Sequence, residues 1–151
     1  MRIVLQRVHE ADVTVDKEVV GKIEKGLVLF IGVAATDTQE DMRYVADKCA
    51  TLRIFPDEQN KMNRSLIDIN GEILAISQFT LLGDVSRGRR PSFINAADPA
   101  KGEKYYENFI EHLRNEHNLH VECGRFGAIM DIRIINDGPV TLVIDSKKPK
   151  Q

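Results

Sequence analysis

Hydrophobic positions along the chain alternate between two periods. The first 34 residues fall into short β-branched runs, "RIVLQRV", "ADVTVD", "EVVGKIE" and "LVLFIGVA", the composition that suits a pleated, half-buried surface. Asp16-Lys17 and Lys25-Gly26 read as turns between them. "GLVLFIGV" is apolar at every position, which predicts a central strand buried on both faces. Helical spacing follows. Met42, Val45, Ala46 and Cys49 share one stripe, with Glu40, Arg43, Asp47 and Lys48 outside it. Thr38 and Asp41 form a capping box with Asp in the usual Glu position. "LRIF" predicts a short strand, "PDEQNKMNRS" a polar connection, and "GEILAISQFTL" a strand that turns polar at its exit.

From Gly83 to Asp98 the pattern is irregular, and a loop of that length in a compact domain is usually functional or partly disordered. A second helix is signalled by Asp98 as cap and Pro99 in the first turn. Tyr105, Tyr106, Phe109, Ile110 and Leu113 make its apolar stripe. Leu119 to Cys123 is a further strand. "IMDIRII" alternates, with Met130, Ile132 and Ile134 on one face, and "VTLVID" closes the sheet. "NDGPVT" lies between these last two. Asp-Gly is a hairpin signal, yet Pro139 follows at once and has no amide for a ladder. "SKKPKQ", residues 146–151, reads as a frayed tail. The elements predict an α+β domain over residues 1–151, with many short strands and two helices on one side of the sheet.

Length and composition narrow the classes. A chain of 151 residues can bury roughly 68–70% of its unfolded surface without disulfides. The formal net charge of -2 argues against a protein that coats nucleic acid, though not against a local basic patch. Cys49 and Cys123 form no metal or redox motif and read as free thiols, Cys49 in the core. No run reaches the roughly 18 apolar residues of a membrane span, so the expectation is a soluble, cytoplasmic protein without membrane contact.

Candidate chemistry is sparse. His9, His112, His117 and His120 read as surface histidines; the "HNLH" spacing lacks a third ligand nearby, so no metal is expected. Ser77, Gln78, Phe79 and Thr80 place hydroxyls and an amide at the end of an apolar strand. A Ser or Thr nucleophile normally needs a base, and none can be assigned to Thr80 from the sequence. Arg87, Arg89 and Arg90 stand beside Phe93. They suit phosphate and base contacts or, equally, a solvated loop.

Together the blocks "MRIVLQRV", "KGLVLFIGV", "LRIF" with "KMNRSL", "SQFTLLGD", "GRRPSF", "GRFGAIM" and "NDGPVTLVIDS" resemble the bacterial D-aminoacyl-tRNA deacylase family over nearly the whole chain. The Ser-Gln-x-x-Leu and Asn-x-Gly-Pro-x-Thr blocks are that family's signatures, and neither departs from the pattern. The resemblance implies a curved, barrel-like, mostly antiparallel sheet with two main helices packed on it, assembled as a homodimer. It implies hydrolysis of the ester of D-aminoacyl-tRNA, and of mischarged glycyl-tRNA, without a cofactor and without DNA as a partner. Ser77, Gln78, Phe79 and Thr80 would form the catalytic strand end, and Arg87, Arg89, Arg90 and Phe93 the tRNA contacts. Gly138-Pro139 would be cis and enter the partner's pocket, where its backbone rejects the Cβ of an L-residue. Two mechanisms remain open. Either Thr80 is nucleophile or hydrogen-bonding partner, or backbone groups around Phe79 and Thr80 hold the ester while the RNA's 2′-hydroxyl activates water. The second needs no base beside Thr80. The competing class is a dimeric module that binds tRNA ends or small amino acids without turnover.

Overall fold

The computed structural model describes residues 1–147. Eight strands and two helices follow one another as β1 (Arg2–Val15), β2 (Glu18–Ile23), β3 (Gly26–Gly32), α1 (Gln39–Thr51), β4 (Phe55–Pro56), β5 (Met62–Arg64), β6 (Glu72–Ser77), α2 (Pro99–His117), β7 (His120–Cys123) and β8 (Asp131–Asp145). A short 3₁₀ turn, Phe79–Leu82, follows β6. The main sheet runs β2-β1-β3-β6-β7, with β8 on the other edge of β1. Its pairings with β1 are antiparallel, whereas β3-β6 and β6-β7 are parallel. The sheet curls until β2 approaches β7. A Cβ on Gly21 would stand 3.0 Å from the Cys123 carbonyl oxygen, a tight contact, so the glycine eases that near-closure. β4 and β5 form a separate small pair.

The two runs "RIVLQRV" and "ADVTVD" are one continuous strand, not two. Val8 pairs with Asn136 and Glu10 with Ile135, so His9 is an extra residue on β1. A bulge of one residue exchanges the faces of everything beyond it. Ile3 and Leu5 pack with the helices, and Val8 faces the barrel interior by ordinary alternation; beyond the bulge Ala11 and Val13 join it there, with Val28, Leu74 and Ile76. β3 feeds both cores, Leu27, Leu29 and Ile31 to one and Val28 to the other, which is why its sequence is apolar throughout.

The helix signals hold. Thr38 and Asp41 make the reciprocal capping box, and Asp98 accepts from the Lys101 amide with Pro99 opening α2. Cys49 is fully buried among core residues, and burial pushes its thiol up to about 12. The strand predicted through "SQFTL" stops at Ser77 instead, because the chain tightens into the 3₁₀ turn.

"NDGPVT" is no hairpin turn. Asp131–Asn136 and Thr141–Asp145 both pair antiparallel with the same edge of β1. The chain therefore keeps its direction, and Asp137 to Val140 bulge opposite Arg7. The tail expected to fray from Ser146 is held at its start. Ser146 accepts a hydrogen bond from the Met1 amine, and Lys147 donates to the Thr36 carbonyl. Residues 148–151 lie outside the described residues. Among the described residues, no helix is long and apolar enough to cross a membrane.

Candidate active site

Parallel pairing carries β3 and β6 to the same end of the sheet, and the carboxyl ends of parallel strands are where α/β proteins commonly bind ligands. Here a pocket of about 600 Å³ opens. Its strand-end wall is Ser77, Gln78 and Phe79. The start of α2 adds Asp98, Pro99 and Gly102, and the β7-β8 connection adds Phe126 and Ala128. A Cβ on Gly102 would lie 3.5 Å from the Phe126 ring, an ordinary contact distance, so the ring lies close over the first turns of α2.

The 3₁₀ turn decides the chemistry at the strand end. It opens with the bond from the Leu81 amide to the Gln78 carbonyl and closes with the bond from the Gly83 amide to the Thr80 carbonyl. The Phe79 and Thr80 amides precede them and belong to the orphan donors of any helical start. Gln78 Nε2 donates to Thr80 Oγ1, so that hydroxyl is already engaged as an acceptor. Phe79 is 55% exposed and meets Phe93 edge-on, ring centroids 5.1 Å apart.

The predicted site residues thus divide. Ser77, Gln78, Phe79 and Phe93 line one pocket, with Thr80 next along the turn. Arg87, Arg89 and Arg90 lie exposed in the loop that the Asp84-Ser92 bridge closes. Gly138 and Pro139 are not in that wall; they sit on β8 against Arg7. The Gly138-Pro139 bond is cis, and Gly138 has φ of 109°.

Arg7 is a support the sequence reading missed. It is nearly buried, and its Nη1 donates to the Ile54 carbonyl at 2.6 Å. Nη2 donates to Asp137 at 3.3 Å, and Nε lies 3.0 Å from the same carboxylate without a well-aligned hydrogen bond. Asn136 adds hydrogen bonds to the Arg7 and Val140 carbonyls, tying the two ends of the bulge together. An arginine inside an apolar run was the available signal, and it gives no partner. Phe126 and Ala128 are further wall residues for which the apolar positions of "GRFGAIM" give no chemical signal.

Among the described residues no histidine is paired with Thr80. His112 and His117 both meet Asp47, His9 lies 3.5 Å from Asp137, and His120 lies 3.8 Å from Glu122. The buried Tyr106 hydroxyl donates to the Ala75 carbonyl at 2.8 Å, and burial raises its pKa. It ties α2 to β6 rather than serving as an acid or base.

A family model described as D-Tyr-tRNA(Tyr) deacylase matches residues 4–145. The chain belongs to that family. D-aminoacyl-tRNA deacylases of Bacillus cytotoxicus and Bacillus cereus are each 55% identical over 147 residues, which is 97% of this chain and 100% of theirs. Among solved structures, a c-Myc DNA unwinding element binding protein is 38% identical with a TM-score of 0.92, covering 99% of this chain and 100% of its own. A probable eukaryotic D-amino acid tRNA deacylase shares the fold at a TM-score of 0.83 and 20% identity, over 95% of this chain and 98% of its own. The deacylase family's barrel-like, mostly antiparallel sheet with two helices is the fold found here.

Proposed function

We propose that this chain hydrolyses the ester joining a D-amino acid to the terminal ribose of tRNA. The observation that carries the mechanism is the pair of amides, Phe79 and Thr80, left over at the start of the 3₁₀ turn beside the pocket. Donors fixed before the reaction stabilise the oxyanion of an acyl-transfer intermediate at little reorganisation cost. An aminoacyl ester is already activated, so positioning supplies much of the remainder. Among the described residues no base is paired with Thr80, and its hydroxyl accepts from Gln78. The RNA's own 2′-hydroxyl then activates the attacking water, while Ser77 and Gln78 shape the strand end. Arg87, Arg89 and Arg90 hold phosphates, and Phe93 backs Phe79.

The proposal includes a homodimer. Among the described residues β8 pairs only with β1, along one edge, and exposes Ile135, Leu142 and Val143. Exposed apolar side chains beside an unpaired strand edge suit an association face. Gly138-Pro139 lies on the same strand but outside its own pocket's wall. Across the dimer it enters the partner's pocket and presents backbone carbonyls to the substrate ammonium. A D-residue then points its side chain to solvent. An L-residue drives Cβ into the Gly-Pro backbone, a rejection by clash. Glycine has no Cβ and escapes it.

The deciding experiment is steady-state release of labelled amino acid from D-, L- and glycyl-tRNA under substrate excess. Turnover of the D- and glycyl esters, with the L-ester spared, is the expected result. Stoichiometric binding of tRNA ends without turnover would establish the binding module instead. A 2′-deoxy terminal ribose is expected to slow the reaction more than Thr80→Ala does. An acyl-enzyme trapped on Thr80 would reverse that order of importance.

A further inference from the structure

α1 and α2 pack side by side, and three side chains converge where α2 ends. Asp47 of α1 directs Oδ1 at the Nε2 atoms of both His112 and His117, each 2.7 Å away. The imidazole rings stand edge to face, centroids 5.7 Å apart. All three ligand atoms lie within 4.8 Å of one another. Both imidazoles are largely sheltered, at 16% and 17% exposure, while the carboxylate is 52% exposed. The sequence spacing points elsewhere, to His117 and His120. The tertiary fold supplies instead a third ligand from another helix.

We propose that Asp47, His112 and His117 form a binding site for a divalent transition-metal ion of the zinc class. Two imidazoles and one carboxylate are the donor set of such ions; magnesium and calcium take oxygen shells. Both rings present the same nitrogen to one small volume, which is convergence rather than a chain of hydrogen bonds. Zinc bonds of about 2.0–2.1 Å set tetrahedral ligand atoms roughly 3.3 Å apart. The half-exposed Asp47 carboxylate has room to draw back to that spacing, and its open side leaves the fourth position to water. A zinc-class ion would be held by the unprotonated Nε2 of each ring, leaving the remaining ring proton on Nδ1.

The ion would clamp α1 to α2, joining residues 65 and 70 positions apart in the chain. His112 lies roughly 15 Å along the helix from Gly102 at the pocket, at 1.5 Å per residue. The site is thus a stabilising clamp remote from the ester chemistry.

The test uses the untagged full chain, stripped with a chelator and titrated with zinc chloride by calorimetry and thermal unfolding. The expected result is one zinc per chain, with Kd of about 1 μM or tighter, and a Tm rise of roughly 5–10 °C at ~100-fold Kd. Asp47→Asn, His112→Gln and His117→Gln are each expected to weaken binding about 10-fold or more, beyond the loss from disturbing a ligand's outer support. His120→Gln is expected to change nothing. Cobalt on the wild-type chain should give the visible bands of a four-coordinate ion, a readout that no variant's folding can obscure. Kd above about 1 mM, absent cobalt bands, or unchanged zinc affinity in the folded His112→Gln/His117→Gln double variant overturns the site.

Discussion

At the scale of single residues, Gly138 is the most constrained position near the proposed specificity element. Its φ of 109° is open chiefly to glycine, and an added Cβ would lie 2.9 Å from Arg7 Nη2. Gly138→Ala is expected to cost about 1–3 kcal/mol in backbone strain and to lose D-aminoacyl-tRNA hydrolysis even in the folded fraction. Calorimetry and turnover on the same preparation check this; a stable, fully active variant would remove Gly138 from the site. Cys49 makes a chemical prediction. Burial pushes its thiol up to about 12, and the thiolate is the reactive form. A disulfide reagent at about pH 8, near the ordinary thiol pKa, should leave Cys49 unmodified in the native chain and label it after denaturation. Rapid native labelling at Cys49 would mean the helix layer opens.

At the scale of elements, the capping box of α1 is a measurable contribution. The Asp41 amide donates to Thr38 Oγ1 at 3.2 Å, and the Thr38 amide donates to the Asp41 carboxylate at 2.8 Å. Thr38→Ala is expected to cost about 1 kcal/mol, a Tm loss of roughly 2–4 °C in a chain of this size. The pH dependence has a definite sign. Slight burial pushes the Asp41 carboxyl up, but the Thr38 hydrogen bonds and Lys147 outweigh it and hold it down. A carboxyl lowered on folding contributes stability above its unfolded pKa of about 3.9 and loses it as pH falls through the lowered folded value. The Tm gap between the native chain and Asp41→Asn should therefore be full near pH 7 and shrink below about pH 4. A gap that is constant with pH would mean that the cap works without its charge.

At the scale of the molecule, assembly and RNA binding are expected to separate. Val143→Asp places a charge on the exposed face of β8. It should convert the proposed dimer to monomers in sedimentation and lower D-aminoacyl-tRNA turnover, because the proposed pocket is completed from the partner. A monomeric native chain with full activity would sink the cross-subunit reading. Alanine at Arg87, Arg89 and Arg90 together should weaken tRNA binding and flatten its log–log salt slope by about 2, at roughly 0.7 per single-strand phosphate contact. The D-over-L ratio should stay unchanged, since phosphate contacts position the RNA and do not read the amino acid.

Local chemistry was legible because it is local. The Thr38 and Asp98 caps, the apolar stripes of α1 and α2, the doubly apolar β3 and the polar end of β6 each follow from residues within a few positions of one another. The resemblance carried the family and its sheet on the strength of short blocks spread along the chain. Tertiary structure decided what depends on partners far away in the chain. Only β1's shared edge shows that "NDGPVT" is a bulge and not a reversal. Only the pairing register shows that His9 is an extra residue that turns β1 from one core to the other. Arg7 acquires meaning from Asp137, and Asp47 from two histidines on another helix. A hydrophobic period reports which face of an element is buried; it carries no information about which distant side chain that face will meet.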